Sequence, residues 1–240
     1  MSDAEETETV FEIKKFGLDP HPHPPTAESA LALAETILES LPSKGWKLSK
    51  DMPEHKASVH WKTIDSELWY SRSTIQDATK YPFEWFKRAL YDEIFENMVS
   101  YYEMVREATC VEEKKGWKGY RLTYLLPPPF AERDIATWLY TYTPEDREDE
   151  FTVIALPADY ELQDEANTRG VYSFVHKVRK LDDDKIEWLM AQTSDMRGNL
   201  PRWVQNYSIP GVLLGDIPVI LKWMEDQYGE KESQEPEETS

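Results

Sequence analysis

Hydrophobic positions change period several times along the chain. Over residues 27–41, Leu31, Leu33, Ile37, Leu38 and Leu41 recur at helical spacing. Thr26 stands just before them as a capping hydroxyl, and Glu28 lies in the first turn, where the positive end of a helix dipole favours a carboxylate. The spacing predicts a helix. From Ser58 the period drops to two: SVHWKTI and ELWYSRSTI alternate, and Asp65-Ser66 between them predicts a hairpin turn. YPFEWFKRALYDEIFENM returns to helical spacing, with Pro82 at its start and Phe83, Phe86, Leu90 and Ile94 along one face.

Strand patterns then resume, near residues 99–110, 117–126, 134–143, 150–156, 171–181 and 185–194. EEKKG, PPPFAER, PEDRED, a long polar loop over 158–169 and DDD separate them. Parallel neighbours need a crossover of a dozen residues or more, so short connections imply an antiparallel meander. The chain closes on TSDMRGNLPRWVQNYSIPGVLL and its continuation. Asn199 is the expected N-cap and Pro201 suits the first turn, while Trp203, Val204, Tyr207, Leu213, Leu214, Ile217, Ile220, Leu221 and Met224 supply a long apolar face. Pro210-Gly211 and Pro218 predict a kink or break in it. Together these elements predict an α+β fold: a curved antiparallel sheet wrapped around a long C-terminal helix. Space left between the sheet and that helix would form an elongated apolar pocket, with the helix acting as core and lid.

Composition sharpens this picture. A 240-residue chain with 40% hydrophobic and 12% aromatic residues can bury a substantial core. The net charge of -19 opposes binding to nucleic acid, and residues 1–12 and 225–240 are rich in Glu and Asp. The expected organisation is a disordered acidic and Pro-rich segment over 1–25, one ligand-binding domain over 26–228 and a disordered acidic tail over 229–240. His21 and His23, set between prolines, read as an extended linker rather than a metal pair. A single cysteine, Cys110, excludes an internal disulfide and a thiolate metal cluster. The N-terminus MSDAEETETV has neither a basic region nor an apolar run, and no stretch approaches the roughly 20 apolar residues of a membrane-spanning helix. A cytoplasmic protein is expected.

Three stretches resemble the START (StAR-related lipid transfer) domains of the Bet v 1-like, helix-grip superfamily, over about residues 45–227. They are WYSRSTI, LPPPFAERDIATWLYTY with its Pro-rich turn before Arg-Asp, and VHKVRKLDDDKIEWLMAQTSDMRGNLPRWVQN. The last places Gly, Pro and an aromatic in the family's order between the final strand and final helix. The chain is also similar to the START-like group of fungal proteins of unknown function. It departs from the family in reading RDI where RDF is usual. The resemblance implies a carrier of one lipid, such as a sterol, phospholipid or fatty-acid derivative, with transient membrane contact.

The candidate ligand contacts follow from that architecture. Arg133 and Asp134 enter a strand from the Pro-rich turn and point to opposite faces; one of them meets a ligand head in the pocket, or both pin the turn. In the strand over 185–194, Ile186, Trp188, Met190 and Gln192 form the bulkier set and are assigned to the concave face. Tyr124, Trp138 and Tyr140 on earlier strands, with Trp203 and Tyr207 on the last helix, would complete an aromatic lining. His176 is a further candidate contact. Neither it nor His60 has a nucleophile or carboxylate at catalytic spacing, and no phosphate-loop, dinucleotide or metal motif occurs, so no cofactor is expected. The loop over 157–170 is either a gate for the pocket or a solvated insertion. Two rival functions remain open: a cyclase-like enzyme of the same superfamily, and an interaction module whose cavity is filled by its own side chains.

Overall fold

The computed structural model describes residues 17–41 and 44–229. Helix α1 spans Ala27–Glu39, and the Thr26 hydroxyl accepts a hydrogen bond from the Ser29 amide at 3.3 Å, satisfying one of the donors that every helix start leaves open. Its Ala30, Leu33, Ala34, Ile37 and Leu38 are buried in one stripe. Strand β1, Lys47–Met52, has no apolar alternation because it is almost wholly exposed, and it is absent from the expectations above. Strands β2 (Ala57–Ile64) and β3 (Glu67–Asp77) form the expected hairpin. Asp65 and Ser66 both adopt positive φ (47° and 70°), the conformation that matches a tight turn to the right-handed twist of its strands.

The single helix expected after Pro82 is broken. Helix α2 (Phe83–Lys87) passes into a π-turn over Arg88–Asp92, Glu93 leaves the helical region, and α3 covers Ile94–Tyr101. Because α3 runs to Tyr101, strand β4 begins at Val105 rather than 99. Strands β5 (Trp117–Tyr124), β6 (Arg133–Tyr142), β7 (Glu150–Pro157), β8 (Thr168–Leu181) and β9 (Lys185–Asp195) follow the expected meander. They build one nine-stranded sheet in the order β1-β2-β3-β9-β8-β7-β6-β5-β4. Neighbours are antiparallel throughout; β8 adds a short parallel pairing to β6 where β7 has ended.

Helix α4, Arg202–Met224, lies across the concave face. It begins one residue after Pro201, which holds the cap position expected of Asn199. Of the kink or break expected at the prolines, a break does not occur: the helix continues through both Pro210 and Pro218. Pro210 cannot donate to the carbonyl four residues earlier, at Asn206, and the Tyr70 hydroxyl donates to that carbonyl instead at 2.9 Å. The sheet thus replaces the bond the proline removes.

Two cores result. The concave core joins Val59, Tyr70, Leu122, Phe174 and Trp188 of the sheet to α2, α3 and α4. The convex core packs α1 on Trp69, Trp117, Trp138, Ile154 and Val175. Residues 17–25 depart from the expected disorder: Leu18 is buried, His21 bridges to Ala158, and the His21 carbonyl accepts the Trp138 indole N–H at 3.0 Å. Residues 1–16 and 230–240, the rest of the two expected tails, lie outside the described residues.

Candidate functional site: a cavity under the terminal helix

Between the concave face and helices α3 and α4 lies a cavity of about 350 Å³. Most of its wall is apolar, from Leu90, Ile94, Met98, Val105, Ile209, Leu213 and Ile220 among others. Met104 and Val212, both partly exposed, belong to the same wall and mark its opening between the α3–β4 connection and α4.

The polar part is built across three adjacent strands. The antiparallel register places Arg72 of β3 opposite Met190 of β9, and Met190 opposite His176 of β8, so one row on the concave face carries all three. The next row carries Tyr70, Gln192 and Phe174. Arg72 is almost wholly buried, with its guanidinium carbon 4.0 Å from the centre of the Trp188 ring and Nη1 donating to the Leu213 carbonyl of α4 at 2.9 Å. Its Nε and Nη2 have no hydrogen-bond partner among the described residues. Burial pulls the Arg72 pKa down, an effect opposed first by the carboxylate of Asp216 on α4. Burial in turn raises the Asp216 carboxyl, while Arg72 and a hydrogen bond from Tyr102 pull it back.

The tautomer of His176 follows from its neighbour. Trp188 Nε1 can only donate, and it donates to His176 Nδ1 at 3.1 Å, so the imidazole carries its proton on Nε2. Burial, helped by the charge of Arg72, lowers the His176 pKa to about 3. The ring therefore stays neutral near neutral pH and is unsuited to general acid–base catalysis there. Tyr101, Tyr102 and Tyr172 are held protonated, chiefly by burial. The Tyr172 hydroxyl stands beside that of Tyr124 without a hydrogen bond of normal geometry.

Of the expected contacts, Tyr124, His176, Met190 and Gln192 line this cavity together. Trp188 lies behind them, on the expected face but covered by Arg72 and His176. Trp138 and Tyr140 point the other way, into the convex core. Strand β6 is buried on both faces from Arg133 to Leu139, so its sequence carries no alternation to say which set faces the cavity, and a one-residue error in parity reverses every side chain. Arg133 clamps the β9–α4 connection, donating from Nε to the Met196 carbonyl at 2.6 Å and from Nη2 to the Arg197 carbonyl. Asp134, on the opposite face, accepts from the Gln163 amide at 2.7 Å, the Asp164 amide and the Asn167 side chain. Those bonds fix the 157–170 loop to the convex side, where Tyr160 covers Gly119 so closely that a Cβ there would meet its hydroxyl. No residue of that loop lines the cavity, which removes it as a gate. Trp203 and Tyr207 project outward from α4, 74% and 88% exposed.

The expectations omit Arg72, Asp216, Tyr101, Tyr102 and Tyr172. Two of them left a signal. Arg72 shares the parity of Tyr70 in a buried strand, and Asp216 interrupts the apolar stripe of α4 between Leu213 and Ile220. A charge inside an apolar face is the informative exception to burial.

Residues 69–224 match the family described as "Protein of unknown function (DUF3074)", and the chain belongs to that family. The search of curated proteins finds no match. Among solved structures, human STARD10 aligns with a TM-score of 0.71 at 15% identity, covering 88% of this chain and 84% of that one. Human StAR-related lipid transfer protein 5 aligns with a TM-score of 0.70 at 16% identity, covering 83% of this chain and 96% of that one. The StAR-related lipid transfer protein of Xanthomonas axonopodis aligns with a TM-score of 0.63 at 15% identity, covering 76% and 99%. The chain has the START, helix-grip fold.

Proposed function

We propose that this protein binds one hydrophobic or amphiphilic small molecule, of lipid type, in the cavity between the sheet and α4. The observation that carries the reading is the space between the sheet and α4: a mostly apolar chamber of about 350 Å³ whose wall includes the buried Arg72, Asp216 and neutral His176. Binding needs no chemistry, and the neutral His176 supports a carrier or sensor over an enzyme. The structural neighbours named as lipid transfer proteins support the same ligand class. Entry would pass between Met104 and Val212, with α4 moving as the lid. Trp203 and Tyr207, exposed on the outer side of α4, suit transient contact with the interface of a membrane, where amphipathic aromatic rings settle.

The test is to fill the chamber from within. Ile209→Trp should abolish uptake of lipid from vesicles while the chain keeps its cooperative unfolding transition. Undiminished uptake by a folded Ile209→Trp protein would place the ligand elsewhere and contradict the reading.

A further inference from the structure

Arg72 holds its guanidinium in an unusual state for a buried cation. Nη1 is engaged by the Leu213 carbonyl and the ring of Trp188 covers one face, so the orientation of the group is fixed. The two nitrogens left without a partner are Nε and Nη2. Their hydrogens lie side by side on one edge of the guanidinium plane, the edge that grips two oxygens of an oxyanion at once. No ion pair to this guanidinium forms among the described residues; Asp216 acts on it through space. A buried charge with an unused bidentate edge is costly unless something completes it.

The rest of the wall narrows what that something is. Among the described residues, Arg72 is the only Lys or Arg lining the cavity, and Asp216 is the only Asp or Glu. The pair carries no net charge, so a doubly charged head is opposed more strongly than a singly charged one, and the unused edge of Arg72 supplies the place for one anionic oxygen pair. His176, close enough to Arg72 to feel its charge and carrying its proton on Nε2, adds a neutral donor to the same wall. The chamber is also at the small end of the range for ligand sites, which favours one chain over two.

Resting on the binding reading above, we infer that the ligand is a single-chain amphiphile with a mono-anionic carboxylate head, held bidentately by Nε and Nη2 of Arg72 with its tail along α3 and α4. Asp216 then opposes the ligand's charge and sets its affinity from the lid side.

Isothermal titration of the full chain with oleate, oleyl alcohol and oleyl phosphate separates the alternatives, since the three share a tail. Wild type should bind oleate about tenfold or more tightly than oleyl alcohol, the scale of a charge-assisted hydrogen-bond pair. Arg72→Gln should bring oleate down to the level of the alcohol while leaving the alcohol's affinity in place, which shows that the cavity survives the substitution. Asp216→Asn should tighten oleate and leave the alcohol unchanged. A purely structural role for Arg72 and Asp216 would weaken both ligands alike. Equal wild-type affinity for oleate and oleyl alcohol would overturn the inference and leave the cavity reading intact. A clear preference for oleyl phosphate over oleate would overturn the carboxylate head in favour of a phosphate. Failure of all three to bind would overturn the cavity reading and this inference with it.

Discussion

The two faces of the sheet solve the same burial problem differently. On the convex face, α1 lays small and branched side chains onto Trp69, Trp117 and Trp138, and several buried polar groups there find partners close by: the Trp138 indole on the His21 carbonyl, the Ser173 hydroxyl on the Gly17 carbonyl, Asp134 on three groups of its loop. Among the described residues its exceptions are His60 Nδ1, Trp117 Nε1, Arg121 Nε and Thr193 Oγ1, spread over β2, β5 and β9. On the concave face a chamber remains, and two nitrogens of one buried group in its wall, Arg72 Nε and Nη2, lack hydrogen-bond partners among the described residues. Scattered unpaired atoms are ordinary in a folded chain, whereas two on one buried guanidinium in a cavity wall make that wall the candidate site. The concave half is therefore where the proposed binding site falls, and the convex half is where α1 is held to the sheet.

The largest expected effects test this division directly. Trp138→Ala and Trp188→Ala each remove a fully buried indole and should each cost about 3–5 kcal/mol of stability in chemical denaturation. Uptake should separate them. Trp138→Ala should retain lipid uptake, and Trp188→Ala, which frees both Arg72 and His176, should lose it. Retention of uptake by the Trp188 variant would break the comparison.

Acid should act mainly through the concave face. His176 is buried neutral with a pKa of about 3, below the unfolded value near 6.5, so on acidification the unfolded chain takes up a proton that the folded chain refuses. The stability that depends on this is complete above about pH 6.5 and is lost as pH falls from there toward 3, at about 1.4 kcal/mol per unit. His176→Gln keeps an acceptor for the Trp188 indole and cannot titrate, so its stability should fall less steeply over that interval. Urea titrations at a series of pH values provide the measurement, and parallel slopes for the two proteins would contradict the assignment.

Single hydrogen bonds on the two faces give a finer comparison. Tyr70→Phe removes the donor that serves the carbonyl freed by Pro210 and should cost about 1 kcal/mol, with faster ligand exchange because α4 is held less firmly. Thr26→Ala removes the cap of α1 and should cost about as much, with exchange unchanged. Smallest of all, Trp203→Ala should alter stability by less than about 0.5 kcal/mol, since the side chain is exposed, while reducing the fraction of protein that sediments with vesicles.

Much of this architecture was legible from period alone. The α1 stripe and the Asp65-Ser66 hairpin follow from their hydrophobic period, and the β5–β9 meander follows from short strand-like runs separated by polar connections. Strand β1 was not legible because it buries almost nothing, and the break at Glu93 was not because the apolar stripe continues across it. The site was legible in part. The 185–194 strand alternates, so its concave set could be read, and Met190 and Gln192 reach the cavity. Strand β6 is apolar on both sides, which sent Trp138 and Tyr140 to the wrong face. The helix aromatics Trp203 and Tyr207 were drawn inward by size, but the side of α4 that faces the sheet carries Gln205, Ile209, Leu213 and Ile217. Arg72 and Asp216 went unread because each looks like an ordinary surface charge until the partner element that covers it is known.

The central claim is that the concave chamber holds a ligand. Native mass spectrometry of the full chain, purified after expression in a eukaryotic host, tests it most directly, with solvent extraction to identify what is bound. The account predicts one lipid-type molecule per chain, lost in Ile209→Trp. A chain that arrives empty and takes up no lipid from vesicles would contradict it.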